Sequence, residues 1–271
     1  MKNTLAIISL TIIISACTEF FAELDADTDW KIYENGPIKL YYKKQGASGV
    51  PSPTAEDVES ITENQKHYYQ AIQDSIQKSF NEPVLIYLYN KDQAEEAIGT
   101  SGGGLSQSKY MTIYYTFIHD IAPYTDKYGI VNPYVGAHEM VHVITHNVLG
   151  HPGTKMMSEG YAVWLDGSYG RKDINYYLQK FKKEYPEYVL TPTQLLNESI
   201  KDEMIYYPNA GILTRYWVRT YGVKKINRLF STGKDEFKEQ FKDITGTSWD
   251  KMETEYSSYL NTIKNRGKHS R

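Results

Sequence analysis

His138-Glu139-Met140-Val141-His142 constrains this chain more than any other stretch. On a helix the two histidines fall one turn apart on one face. There both imidazoles can bind one metal ion, and Glu139, projecting beside them, reaches a water in an open coordination position. The surroundings support a helix. Ala137, Met140, Val141, Ile144 and Val148 keep an apolar stripe at helical spacing. Asn132-Pro133 supplies an N-cap and a first helical residue, and Leu149-Gly150-His151-Pro152-Gly153 supplies a stop. Two buried imidazoles need polar partners, and a metal ion serves both. The motif therefore predicts a zinc hydrolase.

A third ligand decides the class. A metzincin would carry a glycine and a third histidine where this chain has Thr145 and Val148, so that pattern does not apply. Instead Ser158-Glu159-Gly160-Tyr161-Ala162 lies in a second expected helix, from about Lys155 to Asp166 with Gly167 as its stop. The chain between His142 and Glu159 suffices to finish the first helix, turn at Gly150 to Gly153, and bring a carboxylate back to the histidines. Two imidazoles and one carboxylate leave the fourth tetrahedral position open, as catalysis requires. His146, one turn beyond His142, His151 in the turn, and Asp166 are the alternatives to Glu159.

Further on, Tyr207-Pro208-Asn209-Ala210-Gly211 leads to Arg215-Tyr216-Trp217 and Tyr221-Gly222. Pro208 suits a first helical position, which predicts Tyr207 at the N-cap with its ring projecting from the helix end. With H-E-x-x-H at 138 to 142 and S-E-G-x-A at 158 to 162, this segment makes the chain resemble the gluzincin peptidases, most closely the M1-like or peptidase MA-like branch. The likeness covers roughly residues 84 to 260. It implies a thermolysin/M1-like zincin fold with His138, His142 and Glu159 as ligands of one Zn2+. It also implies Glu139 as general base, Tyr207 as hydrogen-bond donor to the oxyanion, and a peptide or protein substrate. An edge strand within Gly104 to Tyr115 would accept the substrate backbone, with Gly103, Gly104 and Leu105 as substrate-binding positions. Tyr206 competes with Tyr207, and His119 is the next oxyanion candidate. The glycine-rich stretch Gly99 to Leu105 carries no glutamate to hold a free amino terminus, so aminopeptidase specificity is not implied.

Residues 1 to 16 read as an export signal: Lys2, an apolar run from Leu5 to Ala16, then Ile14-Ser15-Ala16-Cys17, which resembles a bacterial lipobox acylated on Cys17. The apolar run would span only about 18 Å as a helix against a hydrocarbon core of about 30 Å, too short for a permanent span. A lipid-anchored protein of the bacterial cell envelope is therefore expected, contacting the membrane through Cys17. Cys17 is the only cysteine, so no internal disulfide is available. Loss of the signal moves the net charge from −3 to −4, and the lysines are scattered, which speaks against nucleic acid as the partner.

Residues 17 to 29 form an acidic tether ahead of an α/β lobe over 30 to 131, and 132 to 265 carry the metal helices and a helical lobe, with a tail at 266 to 271. Within the first lobe, Ile38, Leu40 and Tyr42 alternate like a half-buried strand, and Gly46 to Pro53 reads as a loop. Thr54 with Asp57 opens an amphipathic helix. Val84 to Tyr89 reads as a central strand and Tyr110 to Phe117 as another. After Gly167, helices are expected over 171 to 183, 208 to 221, 223 to 230, 234 to 242, and 248 to 263, the last with a Thr247/Asp250 capping box. The expected fold class is α+β: a mixed sheet with helices, then a helical lobe, with zinc in the cleft between them. The main alternative is a zinc-containing surface binding or scaffold lipoprotein without catalysis; the presence of Glu139 speaks against it. A further alternative is metal-dependent hydrolysis of a non-peptide.

Overall fold

The structure, a computed structural model, describes residues 30–43, 52–91, 93–94, 103–118, 124–125, 131–132 and 135–263. Cys17, His119 and most of the loop at Gly46 to Pro53 lie outside them. The fold is mixed α and β. Strands β1 (Trp30–Asn35), β2 (Ile38–Lys43), β3 (Val84–Asn90), β4 (Gly104–Gln107) and β5 (Thr112–Phe117) form one sheet in the order β1-β2-β3-β5-β4. The outer pairs β1/β2 and β4/β5 are antiparallel, whereas β3 runs parallel to both neighbours. The central place expected for Val84 to Tyr89 is thus observed, and β4 forms one edge.

Alternation sorts the side chains of β3 and β5 onto two faces. Val84, Ile86, Leu88, Ile113, Tyr115 and Phe117 enter the main core with Ile38 and Leu40. Tyr87, Tyr89 and Tyr114 face the other way and pack with Trp30 and Tyr41. Cross-strand register lines up Tyr41, Tyr87 and Tyr114, and their rings stack at 4.7 and 5.5 Å.

Helix α1 (Ala55–Ile76) joins β2 to β3 and covers the core face of the sheet. Its N-terminus is the expected capping box: Thr54 accepts from the Asp57 N–H and the Asp57 carboxylate accepts from the Thr54 N–H. A short ribbon of β6 (Tyr124–Thr125) and β7 (Val131–Asn132) precedes the metal-motif helix α2 (His138–Leu149), and α3 (Lys155–Asp166) follows at its expected limits. Beyond a hairpin of β8 (Ser168–Tyr169) and β9 (Lys172–Asp173) come α4 (Ile174–Glu184), α5 (Pro192–Leu196), α6 (Glu203–Tyr221), α7 (Val223–Asn227), α8 (Phe237–Thr245) and α9 (Trp249–Thr262). Buried residues of the sheet and of these helices share one core. No helix among the described residues is long and apolar enough to cross a membrane.

Five helix starts depart from expectation. Helix α4 begins at Ile174 rather than 171, because Lys172–Asp173 pairs with Ser168–Tyr169 in the hairpin and Asp173 caps the helix, and α8 begins at Phe237 rather than 234. Asn132 belongs to β7, and α2 begins only at His138; the backbone N–H of Ala137, the residue ahead of it, donates to Asp166 Oδ1 at 2.7 Å. A carboxylate from α3 thus ties down the residue ahead of α2, whose own side chain offers no cap. Helix α6 begins a turn before Pro208, capped by Asp202, whose side chain accepts from the Met204 N–H at 2.9 Å. Pro208 is therefore inside the helix; its missing N–H leaves only the Met204 carbonyl without its usual donor, at a residue that is half exposed. Helix α9 starts at Trp249 with Ser248 at the cap and no side-chain bond, since the Thr247 N–H is taken by Thr245 Oγ1.

Helices α3 and α6 cross at close range. A Cβ on Gly160 would lie 2.3 Å from Thr214 Oγ1 and 3.1 Å from the Ala210 carbonyl oxygen. The glycine of the S-E-G-x-A segment is therefore what lets α6 approach the residue next to it, Glu159.

Candidate metal centre

Helical spacing on α2 puts the Nε2 atoms of His138 and His142 3.2 Å apart. Glu159, on the first turns of α3, places Oε2 3.3 Å from His138 Nε2 and 3.5 Å from His142 Nε2. A tetrahedral zinc with bonds of about 2.0–2.1 Å requires ligand atoms about 3.3 Å from one another. The three separations match that requirement. Among the described residues this is the one group of three metal-ligating side chains whose ligand atoms converge.

The electrostatics suit a cation. Burial works against a charged Glu159 carboxylate, but hydrogen bonds and charge from His138 and His142 outweigh it and hold the carboxyl well below the usual range. Burial likewise opposes charge on His138; Glu159, Glu139 and Asp166 overcome it and raise its pKa to about 9. Without metal, His138 is thus protonated at neutral pH, and the proton stands where an ion would. A zinc ion bound here would have to displace it, so apparent zinc affinity should rise roughly tenfold per pH unit from about pH 7 to about pH 9, with one proton released. Competition with a chromophoric chelator across that range checks this; affinity independent of pH would contradict it.

The other candidate ligands do not converge. His146 Nε2 lies 3.3 Å from Ser158 Oγ. Burial, with help from His142 and His151, lowers the His146 pKa to about 4 despite Glu159. His151 stacks on His146 at 6.1 Å, with Nδ1 3.2 Å from the Pro152 carbonyl. Asp166 is committed to the Ala137 N–H and the Ser168 hydroxyl.

A cleft of about 1060 Å³ opens over the three ligands, lined among others by Gly103, Gly104, Leu105, Glu139, Tyr169 and Tyr207. Edge strand β4 forms one wall, and a Cβ on Gly104 would lie 2.7 Å from Glu139 Cγ and from the Tyr115 ring. Only glycine leaves Glu139 its place. If Glu139 serves a hydrolytic site here, Gly104→Ala should displace it and lower peptide cleavage by about tenfold to a hundredfold while leaving metal content unchanged; equal cleavage would show that Glu139 has room to spare.

Tyr207 lies on the second turn of α6 rather than at its N-cap, yet it reaches the cleft. Its ring lies nearly parallel to that of His138 at 6.2 Å, and its hydroxyl donates to Glu203 Oε1 at 3.0 Å. Burial and the charges of Glu159 and Glu203 push its pKa up, so it remains a proton donor. Tyr206 turns away: it is buried and donates to the Leu195 carbonyl at 2.8 Å. Tyr169, which sequence reasoning missed, packs edge-on against Tyr207 at 5.2 Å, its pKa pushed up to about 12 by burial and then by Glu203. No local pattern marks Tyr169; it arrives through the β8–β9 turn, where Gly170 and Arg171 both have positive φ.

Compared with known proteins, the chain matches no family model and no curated protein.

Proposed function

We propose that this chain is a zinc-dependent peptidase of gluzincin type, with a thermolysin/M1-like zincin fold, anchored in the bacterial cell envelope through Cys17. The observation that carries the reading is the meeting of two imidazole nitrogens and one carboxylate oxygen at 3.2 to 3.5 Å, beside Glu139 and under an edge strand. Zinc held by His138, His142 and Glu159 would acidify a water and polarise a carbonyl.

The chain's own groups divide the remaining work. Glu139 takes a proton from the attacking water and delivers it to the nitrogen of the leaving amine, so the amide bond breaks without an uncompensated charge. The Tyr207 hydroxyl exchanges Glu203 for the substrate oxygen as negative charge develops there. Edge strand β4 pairs with the extended substrate backbone, and Gly103, Gly104 and Leu105 form that wall. A binding or scaffold protein with a structural metal has no need of a carboxylate in the place of Glu139.

Digestion of a peptide library by the purified mature protein tests the reading, with products identified by mass spectrometry. Cleavage abolished by a chelator and restored by zinc is expected. Zinc-replete protein that cleaves no peptide would favour the scaffold alternative.

A further inference from the structure

The nitrogens of His142 face two different ways. Nε2 points to His138 and Glu159, the side on which a metal would sit. Nδ1 points to Ser158, whose Oγ is 3.3 Å away. The same Oγ lies 3.3 Å from His146 Nε2. Both His142 and Ser158 are buried, so these groups must satisfy one another.

A neutral imidazole that ligates through Nε2 carries its proton on Nδ1. That N–H donates to Ser158 Oγ. The serine hydroxyl then has one proton of its own to give, and His146 Nε2 is its acceptor. We infer that Ser158 and His146 are positioning residues for the metal: a directed chain, His142 Nδ1–H to Ser158 Oγ–H to His146 Nε2, fixes the tautomer and ring plane of His142. The inference rests on His138, His142 and Glu159 being the ligand set.

The economy of the helices explains the placement. One turn of α3 supplies both the carboxylate, Glu159, and the acceptor for the ligand histidine, Ser158. On α2, His146 follows His142 by one turn, which brings it to the far side of the same hydroxyl. His146 thus has a part in the site without being a ligand.

Two measurements on the full mature protein test this. The first is zinc affinity by chelator competition: Ser158→Ala should bind zinc about 10- to 100-fold more weakly than the parent. Folded Ser158→Ala with an affinity within about twofold of a zinc-binding parent would overturn the inference. The second needs no variant. Two-bond 1H–15N spectra of the zinc-loaded parent should show His142 with its proton on Nδ1 and His146 with its proton on Nδ1 and a bare Nε2. A proton on His146 Nε2 in that state would overturn the chain. A parent that binds no zinc would also overturn it, by removing the ligand set on which it rests.

Discussion

Glu139→Gln is expected to retain zinc and to lose peptidase activity by about 10²–10⁴-fold, the usual contribution of general acid–base catalysis. Glutamine keeps the shape of the side chain, so the close fit against Gly104 is preserved. What it would lose is the proposed ability to take a proton and return it to the leaving amine. Glu139 is not among the three converging ligands, so metal content should not fall. Its negative charge does help to raise the His138 pKa, so the variant should if anything shed the competing proton more readily. Equal turnover by variant and parent would remove Glu139 from the mechanism; loss of zinc together with activity would make it a ligand.

On the proposed mechanism Tyr207→Phe should lower kcat by roughly 10²–10³ with KM and zinc content little changed, because a hydrogen bond to the oxyanion would form mainly in the transition state. The phenol is beside His138 and remains protonated, so it is equipped to donate. In the free protein that proton is engaged by Glu203, an acceptor on the cleft wall that is itself paired with Lys155 at 3.6 Å. Tyr206→Phe is the control: its hydroxyl serves the Leu195 carbonyl in the core, so the variant should lose about 1 kcal/mol of stability and keep its turnover. If the two variants exchange behaviour, the roles of the neighbouring tyrosines are exchanged as well. If both stay fully active, tyrosine is not the donor and His119 is the next residue to test.

The site was legible in the sequence where chemistry and periodicity coincide. A helical spacing of four residues places His138 and His142 whatever the rest of the fold does, and Gly167 ends α3 as a local stop signal should. The start of α2 was not legible in the same way. Ala137 ahead of it offers no side-chain cap and is held by its N–H to Asp166 on the next helix, and no local rule anticipates a backbone donor satisfied from so far along the chain. Pro208 misled for a related reason: proline is favoured at a helix start, but Asp202 caps one turn earlier and the core contacts of Ile205 and Tyr206 extend the helix through it. Tyr169 and the role of Ser158 depend on how α3, α6 and the β8–β9 hairpin meet, which is a property of the packed molecule.

The measurement closest to the central claim is the metal content of the purified mature protein after dialysis, by elemental analysis, for the parent and for Glu159→Ala. With His138, His142 and Glu159 as ligands, the parent should carry about one zinc per chain and Glu159→Ala little or none. A metal-free parent, or undiminished zinc in Glu159→Ala, would contradict this ligand set.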